Sequence, residues 1–382
     1  MKVRYFDNAA TSWPKPKKVL KKMAYYFDSC GGNPGRSGHR RSIEAGRMIL
    51  ETRELAAELF HLADPSHILF TKNATEALNT VIMGTCRKGD HIITTSMEHN
   101  SVLRPLSFLK EQGCEVEIIP ASKTGRVDQR LLEKAVRKNT RLVICTHGSN
   151  VTGAVNEIES IGTICRKAGV RFLVDAAQTA GVIPLNFSEL SADFVAAAGH
   201  KGLLGPQGTG VLYVRDNENI VPLTRGGTGS LSDREIQPDF LPDKLESGTL
   251  NVIGIAGLGE GIRFLLERGV DQVWEYEGRL LDLFLDILTE NSSIQCFGPL
   301  DKRFQTGVLS IRIPGISPSE IGECLDREYG ILTRIGLHCA PAAHRTIGTF
   351  PEGTVRLSWG SFTREKDILY TAKTLKRIAR SL

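Results

Sequence analysis

The 382-residue chain is 41% hydrophobic and 24% charged, and its 48 basic and 43 acidic side chains leave a net charge of +5. That balance belongs to a soluble globular protein and is too weakly basic to argue for nucleic acid. The length exceeds a usual single domain, so two are expected. No stretch approaches a membrane span, and MKVRYFDNAATSWP has no apolar run that would serve as a signal peptide, so a cytoplasmic location is expected.

Tyr5 to Pro16 reads as a short strand and turn residues, with two prolines delaying the first helix. Lys15, Lys17, Lys18, Lys21 and Lys22 read as a solvated helix face. A flexible loop, CGGNPGRSG, precedes helix-period residues from Ser42 to Leu62 and a strand from His67 to Thr71. KNATEALNTVI then turns at once into a helix, with Asn73 or Thr75 as its cap. The free N–H groups of Ala74 and Thr75 at such a start suit a phosphate. A strand from His91 to Ser96 delivers Met97, Glu98, His99 and Asn100 to the same edge, where an imidazole can move protons near neutral pH. A helix (Val102 to Gln112), a strand (Glu115 to Pro120) and a helix (Gln129 to Lys138) lead to RLVICTHGSNVTG. There a strand ends near Thr146, and the amide of Asn150 lies in the loop beyond.

From Asn156 to Gly169 a helix crosses back to RFLVDAAQ, an apolar strand ending in Asp175 and followed by Gln178. A second apolar strand ends at Gly199-His200-Lys201, and a glycine-broken loop leads to a third strand reaching Val214. Strands alternating with helices predict a doubly wound, mostly parallel sheet, and such sheets place functional groups at the carboxyl ends of their strands. No GxGxxG follows any of these strands, which disfavours a nicotinamide dinucleotide. A lysine at one strand end can form a Schiff base, and a carboxylate at the next can keep a pyridine nitrogen protonated. Lys201 with Asp175 therefore points to pyridoxal phosphate. His99 is a candidate to stack on its ring, and Asn150 and Gln178 are candidates for its phenolic oxygen, Asn150 also for a substrate carboxylate.

Past Arg215 the chain turns Gly-rich and polar, with Thr249 in a turn-like SGT, and a long helical region is expected from Ile253 to Glu290. A strand (Gly307 to Ile313), a helix (Ser317 to Tyr329), two short strands (Ile331 to Arg334, Thr354 to Trp359) and a last helix (Arg364 to Leu382) predict a smaller α+β carboxyl-terminal domain. The domains are expected at 15–260 and at 1–14 with 261–382. Between the short strands lies TRIGLHCAPAAHR, where Cys339 stands among His338, His344 and Arg334, surroundings that favour a nucleophilic thiolate. Arg356, on the adjoining strand, is a candidate clamp for a carboxylate. The eight cysteines contain no CxxC and come no closer than 15 residues, so neither a metal site nor a redox dithiol is expected and most should be small core residues.

Taken in order, FDNAAT, NATEALN, MEHN, SNVTG, VDAAQ, GHK, SGT, RIGLHCAP and VRLSW make the chain resemble, over almost its whole length, the cysteine desulfurases of the class V aminotransferase group. The closer likeness is to the short-loop (group II) branch, which includes selenocysteine lyases. The resemblance implies the pyridoxal-phosphate fold type I and a homodimer. It implies that Lys201 carries the cofactor, that Asp175 pairs with the ring nitrogen, that Gln178 bonds the ring oxygen and that His99 stacks on the ring. Ala74, Thr75 and His200 would contact the phosphate, with Thr249 contributed by a second subunit. Asn150 and Arg356 would receive the substrate carboxylate, and Cys339 would take the sulfur of L-cysteine as a persulfide. Where the family usually has a serine three residues before the lysine, this chain has Ala198. The short cysteine loop implies a dedicated sulfur-acceptor protein and leaves open iron–sulfur clusters, thiolated tRNA or a cofactor as the destination. L-selenocysteine as substrate, an aminotransferase and a non-catalytic scaffold are the rival readings.

Overall fold

The computed structural model describes residues 2–35, 38–216, 220–288 and 293–380. Strand β1 (Arg4–Tyr5) precedes helices α1 (Lys17–Tyr25) and α2 (Arg40–Leu59). An alternating series follows: β2 (Ile68–Thr71), α3 (Ala74–Thr85), β3 (His91–Thr95), α4 (Asn100–Glu111), β4 (Glu115–Ile119), α5 (Gln129–Ala135), β5 (Thr140–Thr146), α6 (Ile158–Ala168), β6 (Arg171–Asp175), β7 (Phe194–Ala198) and β8 (Gly210–Val214). Helices α7 (Val252–Arg268) and α8 (Val270–Leu288) occupy the single long helical region expected there. They are separated at Gly269, whose φ of +83° closes the first helix. The rest comprises β9 (Gln295–Phe297), β10 (Val308–Arg312), α9 (Pro318–Tyr329), β11 (Ile331–Leu332), β12 (Arg334–Gly336), α10 (Pro341–Thr346), β13 (Thr354–Ser358) and α11 (Glu365–Arg380). The expected ends at Glu290 and Leu382 lie outside the described residues.

Strands β2 to β8 form one seven-stranded sheet in the order β2-β8-β7-β6-β5-β3-β4. Only β8 runs against its neighbours; the other pairings are parallel. Alternation along each strand divides the core. Phe172 and Val174 of β6 pack with α2 and α7 on one face, and Leu173 packs with α3 and α4 on the other. Parallel strands all end on one edge, so Thr71, Thr95, Thr146, Asp175 and Ala198 bring their loops together there. This is the expected α/β architecture, and the smaller antiparallel sheet β12-β13-β10-β9 accompanies it.

The stretch expected as one strand from Ile331 to Arg334 divides between two sheets. Ile331–Leu332 pairs with β1 and Arg334–Gly336 with β13. Phe6, Phe284, Leu309, Leu357, Trp359 and Leu375 share the core beneath these strands. Strand β9 and the one-turn α10 are too short for their periodicity to stand out.

Glu277 of α8 is buried at the edge of this second core, and burial pushes its carboxyl up to about 8. The folded protein therefore keeps a proton there that the unfolded chain loses near its ordinary value of 4.5. Stability from this group is fully present at acid pH and is lost as pH rises from the unfolded value through the folded one. Glu277→Gln, neutral at every pH, should flatten the fall in melting temperature between pH 6 and pH 9. An unchanged slope would show that Glu277 ionises as freely folded as unfolded.

Candidate active site

The edge of the large sheet opens into a cavity of about 220 Å³ lined by Asn73, Ala74, Thr75, His99, Asn150, Asp175, Gln178, His200, Lys201, Arg334 and Arg356 among others. The sequence-selected residues thus meet in one place, with two exceptions. Thr249 lines a neighbouring cavity with Lys72, Arg225 and Gly248. Cys339 is exposed and lines a groove at the mouth with His99, Ser101 and Arg104.

Lys201 follows β7 through a backbone path that only small residues permit. A side chain at Gly199 would lie 2.2 Å from Thr209 Oγ1, and one at Gly202 would lie 2.4 Å from the Ala180 carbonyl. The amino-terminal segment seizes the same path. The His200 carbonyl accepts from Ser12 N (3.0 Å), Ser12 Oγ (3.1 Å), Thr11 Oγ1 (3.2 Å) and Lys15 Nζ (3.1 Å). Lys15 is therefore not part of a solvated face, and burial lowers its ammonium to about 8. Burial also lowers Lys201 to about 8, opposed by the attraction of Asp175. Asp175 is buried, which raises its carboxyl, while the Ala177 N–H donates to Oδ1 at 2.9 Å and opposes the rise.

Asn73 rather than Thr75 caps α3, its side chain accepting from Glu76 N at 2.8 Å. The first-turn N–H groups of Ala74 and Thr75 have no acceptor within the helix, and both residues line the cavity. His99 caps α4, and its Nδ1 accepts from Ser101 N at 3.0 Å, so that nitrogen carries no hydrogen. Burial and then the Lys201 charge hold His99 at about 4. Ser101, which the sequence reading passed over, brings its hydroxyl to 2.8 Å from Thr75 Oγ1 in the cavity that Ala198 also lines. A hydroxyl two residues beyond a histidine cap was the available signal. Glu98, also unassigned, is fully buried and bridges two strand ends, accepting from Thr95 Oγ1 (2.6 Å) and Thr146 N (2.9 Å).

Arg356 is fully buried, donating to Asp7 Oδ1 at 2.8 Å and to the Asn150 carbonyl at 2.9 Å. Its Nε has no partner among the described residues. Asn150 Nδ2 donates to the His338 carbonyl at 2.7 Å, and Gln178 Nε2 to the Ala9 carbonyl at 3.0 Å. The expected imidazole neighbours of Cys339 are not there. His338 and His344 turn into the core, bonded to Thr354 Oγ1 (3.0 Å) and Thr349 Oγ1 (2.7 Å), and burial lowers them to about 2 and about 4. The group that meets the sulfur is Arg334, Nη2 lying 3.5 Å from Sγ. Five of the eight cysteines are buried, as expected of small core residues.

Thr249 is carried by a segment anchored three residues earlier. Glu246 receives both nitrogens of the Arg53 fork, at 2.9 and 2.8 Å, and the Phe70 N–H at 2.5 Å. Both partners are buried. Glu246→Gln should cost roughly 3–5 kcal/mol in urea unfolding, because Arg53 keeps its charge in an apolar setting. A loss below about 1 kcal/mol would mean that the pair is solvated.

A lysine and a buried carboxylate at adjacent strand ends, beside an open helix start, share one cleft of a doubly wound α/β fold. The chain belongs to the class-V aminotransferase family, which matches residues 4–370. It is 36% identical to a probable cysteine desulfurase of Methanothermobacter thermautotrophicus, over 98% of this chain and 94% of that one. It is 35% identical to one of Pyrococcus abyssi, over 100% and 95%. Among solved structures, the apo cysteine desulfurase of Thermococcus onnurineus NA1 superposes with a TM-score of 0.92 at 34% identity, over 100% of this chain and 95% of that one. The Escherichia coli cysteine desulfurase CsdA (S-sulfonic acid) gives 0.87 at 28% identity, over 99% and 95%. The architecture is that of the fold type I pyridoxal-phosphate enzymes.

The residues present fit that cofactor. His200 Nδ1 is buried with no partner among the described residues, as a donor awaiting a phosphate would be. No group of three or more His, Cys, Asp or Glu suited to a metal ion occurs among the described residues, and none of their helices is long and apolar enough to cross a membrane.

Proposed function

We propose that this protein is a pyridoxal-phosphate-dependent cysteine desulfurase of the short-loop (group II) branch, converting L-cysteine to L-alanine and passing the sulfur through Cys339. The supporting observation is that Arg334 lines the lysine cavity and also touches the sulfur, so amine and thiol address one cleft within one chain.

Lys201, Asp175, Gln178, His99, Ala74, Thr75 and His200 would hold the cofactor. The hydroxyls of Thr75 and Ser101 stand in for the serine absent at position 198, where one hydrogen bond is worth on the order of 1 kcal/mol. When bound, pyridoxal phosphate supplies an aldehyde that condenses with amines and a ring that accepts electron density. Asp175 holds the proton on the ring nitrogen. Lys201 Nζ removes the proton from the substrate Cα, and Arg356 and Asn150 orient the carboxylate. Cys339 Sγ, as thiolate, bonds to the substrate sulfur while the carbon–sulfur bond breaks. His99 takes part in proton relay as a neutral ring whose Nδ1 accepts from Ser101 N, which leaves its Nε2 hydrogen to donate. The balance is one L-cysteine and one thiol giving one L-alanine and one persulfide.

The functional unit is a homodimer in which Thr249 completes the phosphate site of the other subunit, and 15–260 and 1–14 with 261–382 are its domains. The pairing of β1 with β11 supports joining 1–14 to the carboxyl-terminal part. A cytoplasmic acceptor protein then takes the sulfur, toward iron–sulfur clusters, thiolated tRNA or a cofactor. Incubation of the pure protein with L-cysteine should yield alanine and a persulfide on the tryptic peptide holding Cys339. Alanine without that persulfide, or no alanine at all, would refute the proposal.

A further inference from the structure

Cys339 sits in a backbone turn that ordinary side chains avoid. His338 and Cys339 both lie in the left-handed region, at φ +50° and +59°, and neither is glycine. Consecutive residues of this kind persist only where their surroundings hold them. Three hydrogen bonds from outside do so. Asn150 Nδ2 donates to the His338 carbonyl at 2.7 Å, Asn100 N donates to the Cys339 carbonyl at 2.9 Å, and the His338 ring is bonded to Thr354 Oγ1 at 3.0 Å. Asn150 and His338 are both buried, so water does not replace the amide bond when it is lost.

We infer that Asn150 is a positioning residue for Cys339, its side-chain amide fixing the left-handed turn that aims the sulfur at the cleft. The amide is held in turn. Its own residue's carbonyl accepts from Arg356 Nη1, and Arg356 is braced by Asp7. A line of bonded groups therefore runs from Asp7 through Arg356 and Asn150 to the residue before the nucleophile. An amide nitrogen has two hydrogens, so the second remains for a substrate carboxylate while the first holds the turn. Recognition of the substrate and placement of the sulfur then pass through one side chain. This inference rests on Cys339 as the nucleophile, and its test does not.

The test is made on the cofactor-loaded protein with Asn150→Asp, which keeps the shape of the side chain and removes its donor. Hydrogen exchange across residues 338–340 should quicken roughly fivefold, the factor carried by one net hydrogen bond of about 1 kcal/mol. Exchange in the peptides of β5 and β6 should stay at the wild-type rate, which a general loosening of the fold would not allow. Thr354→Val, which removes the bond on the other side of the turn, should produce the same local change and serves if the Asn150 variant does not fold. Wild-type exchange across this turn in whichever variant folds would overturn the assignment. Full desulfurase activity in a variant lacking the Cys339 thiol would refute the nucleophile while leaving this exchange result untouched.

Discussion

Replacing Lys201 by alanine should leave a folded protein that loses pyridoxal phosphate on gel filtration and forms alanine from L-cysteine roughly 10³-fold more slowly, even with cofactor added in excess. The reason is that one amine does two things. In the proposed mechanism it is both the covalent tether and the base at the substrate Cα, a role that by itself contributes on the order of 10²–10⁴-fold. No other lysine lines the cavity among the described residues. Lys15, whose burial lowers it equally, spends its ammonium on Ser12 Oγ and the His200 carbonyl. A second measurement follows from the lowering of Lys201 itself to about 8. Only the neutral amine condenses with an aldehyde, so cofactor capture by the cofactor-free wild-type protein should accelerate as pH rises through about 8 and then level off. Capture that is independent of pH between 6 and 9, or an alanine variant that keeps its turnover, would remove Lys201 from the centre of the account.

Cys339→Ser should abolish sulfur transfer, by roughly 10³-fold or more, while the bound cofactor keeps its visible absorption. The separation of the two effects comes from position. The thiol is exposed at the mouth of the cleft, whereas Lys201 and Asp175 lie at its floor, so exchanging one atom at the mouth leaves the floor intact. A serine hydroxyl beside Arg334 remains a poor nucleophile toward sulfur, because it stays protonated at any pH the protein survives. The other seven cysteines offer no substitute, since five are buried and the remaining two, Cys296 and Cys324, are partly covered. Measuring alanine, sulfide and absorbance on the same sample distinguishes a lost nucleophile from a lost cofactor. A variant with full sulfide release would mean that sulfur leaves the substrate without Cys339.

Much of the floor of the site was legible before folding, and much of its mouth was not. Asp175 and Lys201 each end an apolar run whose length reveals a buried strand, and parallel strands end on a common edge, so their meeting follows from local pattern and topology. The cap at Asn73 is equally local, set by a carbonyl three residues from the N–H it receives. His338 and His344 lie within five residues of Cys339, yet both rings point into the core. The partner at Cys339 is Arg334 because β12 pairs with β13 and carries it there. Arg356 looked like a free guanidinium clamp, and its salt bridge to Asp7, 349 residues away, was invisible along the chain. The same holds for Lys15, whose neighbours in sequence are solvated lysines while its own partner is the carbonyl before Lys201.

By itself the amino-acid sequence determined the alternation of strands and helices, the edge on which the loops gather, and the residue types that collect there. These depend on period, caps and backbone freedom, which act over a few residues. Only the tertiary structure decided that β8 runs against its sheet, that Asn150 holds the Cys339 turn, and that Asp7 and Lys15 brace the site. The last two join partners 185 to 349 residues apart, and burial makes that choice only after the chain has closed on itself.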